Sequence, residues 1–191
     1  MVLRGTEIWR NPSVVGEYNA FFLKDITDIA KPDIIESLKA AKEQGAIIIH
    51  NHPGWRRKTM DKSEIQEQIY AEKLVDGIEV INGSTLYPQM IDRCVNEELT
   101  IFANTDLHRT SAQYFPRGGE TFRTMTFIFA KENTSKAIRK ALEKGMTLAG
   151  AQTYLKGHGK VEQAEIDTAV IERLRSIRAE LIGLRDALGE L

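Results

Sequence analysis

The sequence predicts an α/β domain built on a parallel sheet or part of a barrel, and three observations carry that expectation. Strand-like and helix-like stretches alternate as far as Leu148, the rhythm of βα repetition. The apolar β-branched run Ile47-Ile48-Ile49 breaks abruptly into His50-Asn51-His52-Pro53-Gly54-Trp55, which reads as a buried strand delivering polar side chains at its C-terminal end. A second apolar strand, Thr100 to Ala103, runs into Asn104-Thr105-Asp106-Leu107-His108 in the same way. In parallel α/β architectures that edge of the sheet is where chemistry collects.

Taken in order, Val2 to Trp9 reads as a strand, and Tyr18 to Leu23 as a second one reached through the turn chemistry of Asn11-Pro12. Pro32 opens a helix to about Gln44, and Gly45 stands just past its end. The histidine-bearing strand follows, then a helix over Asp61 to Val75, a strand over Gly77 to Ile81, a helix over Pro88 to Glu98 and the strand from Thr100. Beyond the polar loop through Gly118-Gly119, a strand from Phe122 to Ala130, a helix from Thr134 to Lys144 and a short strand from Met146 to Leu148 are expected. This globular part is assigned to residues 1–158.

Residues 159–191 have a different character. Val170, Leu174, Ile177, Leu181, Leu184, Leu188 and Leu191 alternate spacings of four and three, a heptad seam that predicts an amphipathic helix. Two readings stand side by side: a helix packing on its own domain as a lid, or one that makes a homo-oligomer.

Composition narrows the function classes. With 191 residues, 42% hydrophobic and 28% charged, the chain is long enough to bury a core. A net charge of -1 supplies no global field for nucleic acid or anionic lipid, so anion binding must be local. The single cysteine, Cys94, reads as a buried filler in a reducing compartment. Neither a secretory leader nor a membrane-length apolar run is visible, so a cytoplasmic location is the expectation.

The chemistry rests on Glu7, His52, Asp106 and His108. His52 stands before Pro-Gly, a stiff turn at a strand terminus that aims its imidazole into the rim. His50 lies two residues earlier and shares a face with it in a regular strand, so it reads either as a second ligand or, by preference, as a satisfied core histidine. Asp106 and His108 offer a carboxylate and an imidazole within reach of one centre. Glu7, at the first strand's end, is a carboxylate able to bridge two ions. Together these suit zinc, manganese, iron or magnesium and a hydrolytic centre using metal-activated water. Arg123 is a candidate fork for phosphate oxygens, although a surface arginine is the commoner outcome. His158, between two glycines, reads as a loop residue.

Gly5-Thr6-Glu7-Ile8, Asn51-His52-Pro53-Gly54-Trp55, Gly77-Ile78-Glu79-Val80-Ile81-Asn82-Gly83, Asn104-Thr105-Asp106-Leu107-His108 and Arg123-Thr124-Met125-Thr126-Phe127 resemble successive motifs of the PHP family, the polymerase-and-histidinol-phosphatase type of metal-dependent phosphoesterase. The resemblance runs in order from Leu3 to Met146 and implies a distorted (β/α) barrel, here partial and lacking its first strands. It also implies a metal cluster at the strand ends that hydrolyses a small phosphorylated substrate. Carried over by position, Glu7 is the carboxylate shared between metals, His52 a ligand, and Asp106 and His108 ligands of different metals. Glu79 and Asn82 are assigned to strand and loop structure.

The departures are as informative. The family's His-x-His and Asp-His motifs would precede Glu7, and six residues do. Where a Gly-His-x-Asn ligand is expected the chain has Gly16-Glu17-Tyr18-Asn19, so Glu17 would ligate through oxygen, with altered charge and metal preference. The expected function is a divalent-metal phosphoesterase. Its alternative is a non-catalytic metal- or ligand-binding remnant, or half of an assembly whose open sheet edges are covered by the tail, a second copy or another chain. If the heptad tail mediates assembly, deleting the residues after Gly159 converts an oligomer to a monomer in light scattering or exposes apolar surface. A truncated chain that stays soluble with unchanged solution mass refutes that role.

Overall fold

The computed structural model describes residues 2–108 and 123–151; the C-terminal helix expected over 159–191 lies outside the described residues. Eight strands and four helices follow one another in the described part. β1 (Gly5–Trp9) and β2 (Glu17–Phe21) come first, then α1 (Ile34–Glu43), β3 (Ile47–Asn51), α2 (Glu64–Ala71) and β4 (Gly77–Asn82). They are followed by β5 (Thr85–Leu86), α3 (Pro88–Asn96), β6 (Thr100–Asn104), β7 (Met125–Ile128), α4 (Ser135–Glu143) and β8 (Thr147–Gly150).

Local chemistry explains most of the boundaries. Asp33 caps α1 by accepting the Glu36 N–H at 3.0 Å, and Gly45, at φ +82°, turns the chain out of it. Ser63 and Gln66 form a reciprocal capping box on α2, so that helix starts after the Asp61 expected from the pattern. Pro88 occupies the first turn of α3, and Thr134 caps α4. The short β5 was not expected. It arises where Gly83, at φ +55°, reverses the chain so that Asn82 pairs with Thr85.

The sheet is mixed, which corrects the expectation of a parallel one. β1 pairs antiparallel with β2 and β2 antiparallel with β3, whereas β3 with β4 and β4 with β6 are parallel. The connection from β1 to β2 is a short turn, far below the dozen or more residues a parallel crossover needs. β7 and β8 form a separate antiparallel pair, joined to β6 by threonines rather than by a ladder. Thr126 Oγ1 accepts the Ala103 N–H and donates to the Ala103 carbonyl, both at 2.9 Å, and Thr147 Oγ1 donates to the Ile101 carbonyl at 2.7 Å. Among the described residues no closed barrel forms: β1 pairs only with β2, and the ribbon touches β6 through side chains.

The register sorts side chains onto two faces. Glu7, Asn19 and Ile49 lie in line across β1, β2 and β3, as do Trp9, Glu17 and Asn51. On this face Ile47, Ile49, Phe102 and Leu142 form a buried cluster with Phe21, Phe22 and Ile138 packed against it. All five residues of β3 are buried, the condition that makes its sequence a continuous apolar run.

The opposite face carries Tyr18, Ala20, Ile48, His50, Ile78 and Val80, all at most 2% exposed. Here His50 proves to be a core residue. Its ring stacks on Tyr18 at 4.9 Å between centroids, and Nδ1 meets the Tyr70 hydroxyl of α2 at 2.8 Å. A side-chain Cβ at Gly16 would come within 2.7 Å of His50 Nε2; with a φ of +93° as well, that position requires glycine. Cys94 is likewise a filler, 2% exposed, its thiol pushed by burial up to about 12.

Burial first, then the positive charges of Arg93 and Arg57, hold the His50 imidazole down at about 3. An unfolded chain protonates that histidine below about 6.5 while the folded one does not. Unfolding stability is therefore expected to fall as pH drops from about 6.5 towards 3. Denaturant titrations across that range should show the loss in the parent chain and a shallower slope in His50→Asn.

Candidate metal centre

Glu7 of β1, Glu17 of β2 and the residue after β3, His52, are brought together by the register of three adjacent strands. Two antiparallel pairings place Glu17 beside Trp9 on one side and Asn51 on the other, so the end of β3 and the start of β2 meet. His52 Nε2 lies 3.0 Å from Glu17 Oε2 and 3.7 Å from Glu7 Oε1. One ligand atom from each of these three residues lies within 4.8 Å of the other two.

The His52 main chain is held as firmly as its ring. Its N–H donates to Glu79 Oε2 at 2.6 Å, and the same oxygen accepts Asn82 Nδ2 at 3.0 Å. His52 has a φ of +23° and Asp106 one of +53°. The left-handed region costs a non-glycine residue roughly 1–2 kcal/mol, and such strain collects where a strand end must aim a side chain.

The carboxylates surround one imidazole. Burial pulls the His52 pKa down, but the Glu7 carboxylate beside it and the charges of Glu79, Glu17 and Asp106 outweigh burial and hold it above its usual value. Glu7 is held low, first by the His52 ring beside it. Burial pushes Glu17 and Glu79 up, and Glu79 is only 2% exposed. Four acids around one base leave an excess of negative charge that a cation neutralises.

A cleft of about 150 Å³ opens beside the trio, lined by Glu7, Asn51, His52, Glu79 and Asp106 among others. Asn51 Nδ2 donates to Glu7 Oε1 at 2.7 Å, while its Oδ1 is buried and has no hydrogen-bond partner among the described residues. The donor set fits a divalent ion. Around a metal with ligand distances of about 2.0–2.2 Å, donors stand at most about 4.4 Å apart, and the His52 contacts to Glu17 at 3.0 Å and to Glu7 at 3.7 Å fall inside that limit. One imidazole and two carboxylates are donor types that several divalent ions accept.

The sequence-predicted residues divide on this geometry. Glu7, Glu17 and His52 converge, and Asp106 lines the same cleft. His108 does not join them: its side chain is 78% exposed, and its Nδ1 is 3.0 Å from the Asp106 carbonyl oxygen. Arg123 is exposed at the start of the segment leading into β7 and is not among the cleft's lining residues. The sequence reading gave Glu79 and Asn82 structural roles, and the structure adds that both line the cleft, with Asn19 and Asn104 beside them. The signal available for Asn82 and Asn104 was their place at the ends of their strands, whereas Glu79 and Asn19 lie within theirs. Asparagine, being common in turns, gave no contrast there.

No family model matches the sequence, and no curated protein does. The chain is similar to a crystal structure of a two-domain protein from Bacteroides vulgatus that contains a predicted PHP-like metal-dependent phosphoesterase. The two share 34% sequence identity with a TM-score of 0.71, over 78% of this chain and 44% of that one. The chain thus spans less than half the length of the protein it matches, and its mixed α/β architecture and Glu-Glu-His group accompany a PHP-like neighbour.

Proposed function

We propose that this chain is a divalent-metal-dependent phosphoesterase of PHP type, acting on a small phosphorylated substrate. The observation that carries the reading is the convergence of Glu7 from the middle of β1, Glu17 from the start of β2 and His52 from just past β3, within 4.8 Å of one another. The similarity to a protein with a predicted PHP-like phosphoesterase supports it.

In this reading Glu7, Glu17 and His52 hold the ion, and Asp106 stands across the cleft. A bound divalent ion supplies Lewis-acid stabilisation of phosphoryl negative charge and acidifies water at neutral pH. Glu79 fixes the His52 backbone by accepting its N–H, and so orients the ring. Asn51 fixes Glu7 through its amide. Asp106, 39% exposed at its side chain, is the acid placed to exchange a proton with the leaving group or water at the mouth.

A second reading, a metal-binding remnant without turnover, is favoured by one observation: Glu7, Glu17 and His52 are the one donor group gathered within 4.8 Å among the described residues, and His108, 78% exposed at its side chain, is not part of it.

Elemental analysis and a phosphatase assay on an aryl phosphate separate the two. Metal-dependent turnover, lowered at least about a hundredfold by His52→Ala or Asp106→Asn with the fold intact by circular dichroism, is the expected result. A tightly held ion with no turnover selects the remnant, and equal activity in the variants removes the site assignment. Glu79→Ala strands a buried N–H, so it should also lower unfolding stability by about 1–3 kcal/mol, read by urea titration.

A further inference from the structure

Asparagine recurs along the cleft beside the candidate trio. Four strands each supply one lining residue of that type: Asn19 from β2, Asn51 from β3, Asn82 from β4 and Asn104 from β6. Asn51, Asn82 and Asn104 are the last residues of their strands, where turn chemistry favours asparagine. Asn19 is the middle residue of β2, a place where asparagine is disfavoured. A residue that breaks a local rule without a structural return points to function.

The other three amides are spent on the protein's own acids. Asn51 Nδ2 donates to Glu7 Oε1 at 2.7 Å and Asn82 Nδ2 to Glu79 Oε2 at 3.0 Å. The Asn104 side chain hydrogen-bonds Glu79 as well, and with Asn82 it works against the upward push of burial on that carboxyl. Asn19 has no such task. Among the described residues its side chain makes no hydrogen bond, and in this half-buried residue neither amide atom is sealed from solvent. Its place is fixed by the sheet, in register between Glu7 on β1 and Ile49 on β3.

The balance of donors and acceptors decides which end of that amide is used. Glu7, Glu79 and Asp106 line the cleft, and among the described residues no lysine or arginine does. Acceptors are plentiful and donors scarce, since the His52 N–H is committed to Glu79 and its ring lies 3.0 Å from Glu17. An anion entering such a place gives up water, and each oxygen that finds no donor pays for it. A neutral amide offers N–H there, whereas an acid at the same position would set a further negative charge directly across the strand pair from Glu7.

We propose that Asn19 is a ligand-binding residue of this site: its side-chain N–H, uncommitted within the protein, donates to an oxygen of the phosphoryl group that enters the cleft. This rests on the phosphoesterase reading for the identity of the anion. The hydrogen bond itself does not need turnover.

The test uses the full chain with inorganic phosphate in magnesium-containing buffer. Calorimetric titration should show saturable binding, weakened at least about tenfold by Asn19→Ala. Asn19→Asp, which keeps the shape and replaces the donor by a charge, should weaken it further, with metal content unchanged in both variants. In proton–nitrogen correlation spectra, phosphate should shift the side-chain amide pair that Asn19→Ala removes. No saturable binding, an unchanged affinity in the variants, or an amide pair that phosphate leaves in place overturns the proposal. Metal lost in Asn19→Ala and regained in Asn19→Asp gives the amide oxygen to the ion and overturns it too. Phosphate bound through Asn19 with no turnover of an aryl phosphate upholds the proposal and removes the hydrolytic reading. Turnover with the same KM and the same inhibition by phosphate in parent and variants does the reverse.

Discussion

The site depends on one buried carboxylate. Glu79 lies in the interior part of β4 and gives one oxygen to the His52 N–H and to the Asn82 amide. That oxygen ties the exit of β3 to the exit of β4 at the place where the parallel ladder between them has ended, since β3 and β4 share only Ile49 with Gly77 and His50 with Ile78 as partners. Without it the left-handed turn at His52 would have no acceptor for a buried donor, a loss of about 1–3 kcal/mol. The ring that the trio shares would then lose its direction. The electrostatic character of the rim follows from the same choice, because the acid needed to hold the backbone adds to the negative charge of Glu7, Glu17 and Asp106.

The sequence made the elements legible where a physical signal was local. The Ile47 to Asn51 run, the Ser63 and Thr134 caps and the proline at the head of α3 all act within a few residues, and each element formed close to its expected place. What the pattern did not carry was strand direction. An α/β rhythm is the same whether the first strands run parallel or antiparallel, and only the short link from Trp9 to Glu17 favoured a hairpin. The β7–β8 ribbon was hidden for a similar reason. Its attachment to β6 runs through the hydroxyls of Thr126 and Thr147, and no periodicity announces a hydrogen bond made by a side chain in place of a ladder.

The candidate trio was legible for residue type and less so for partnership. His52 announced itself through the Pro-Gly that follows, and Glu17 through its place in a glycine-led motif. His108 had the right chemistry and sequence neighbourhood, yet its side chain is largely exposed and its Nδ1 lies against the Asp106 carbonyl oxygen, a placement that spacing does not announce. His50 shows the converse. One residue pair in β3 sends Asn51 to the cleft and His50 to the stack between Tyr18 and Tyr70, because the strand's period of two leaves the histidine on the far face.

The position of β1 has a mechanical consequence. Among the described residues it is the outermost strand of its sheet, bonded on one side only, and end strands of this kind open first when a protein breathes. Glu7 is carried on that strand, whereas Glu17 is on its neighbour and His52 on the strand beyond. In the reading proposed above, an ion held by all three would bridge three neighbouring strands at the sheet's margin, and its binding would favour the closed margin over the frayed one.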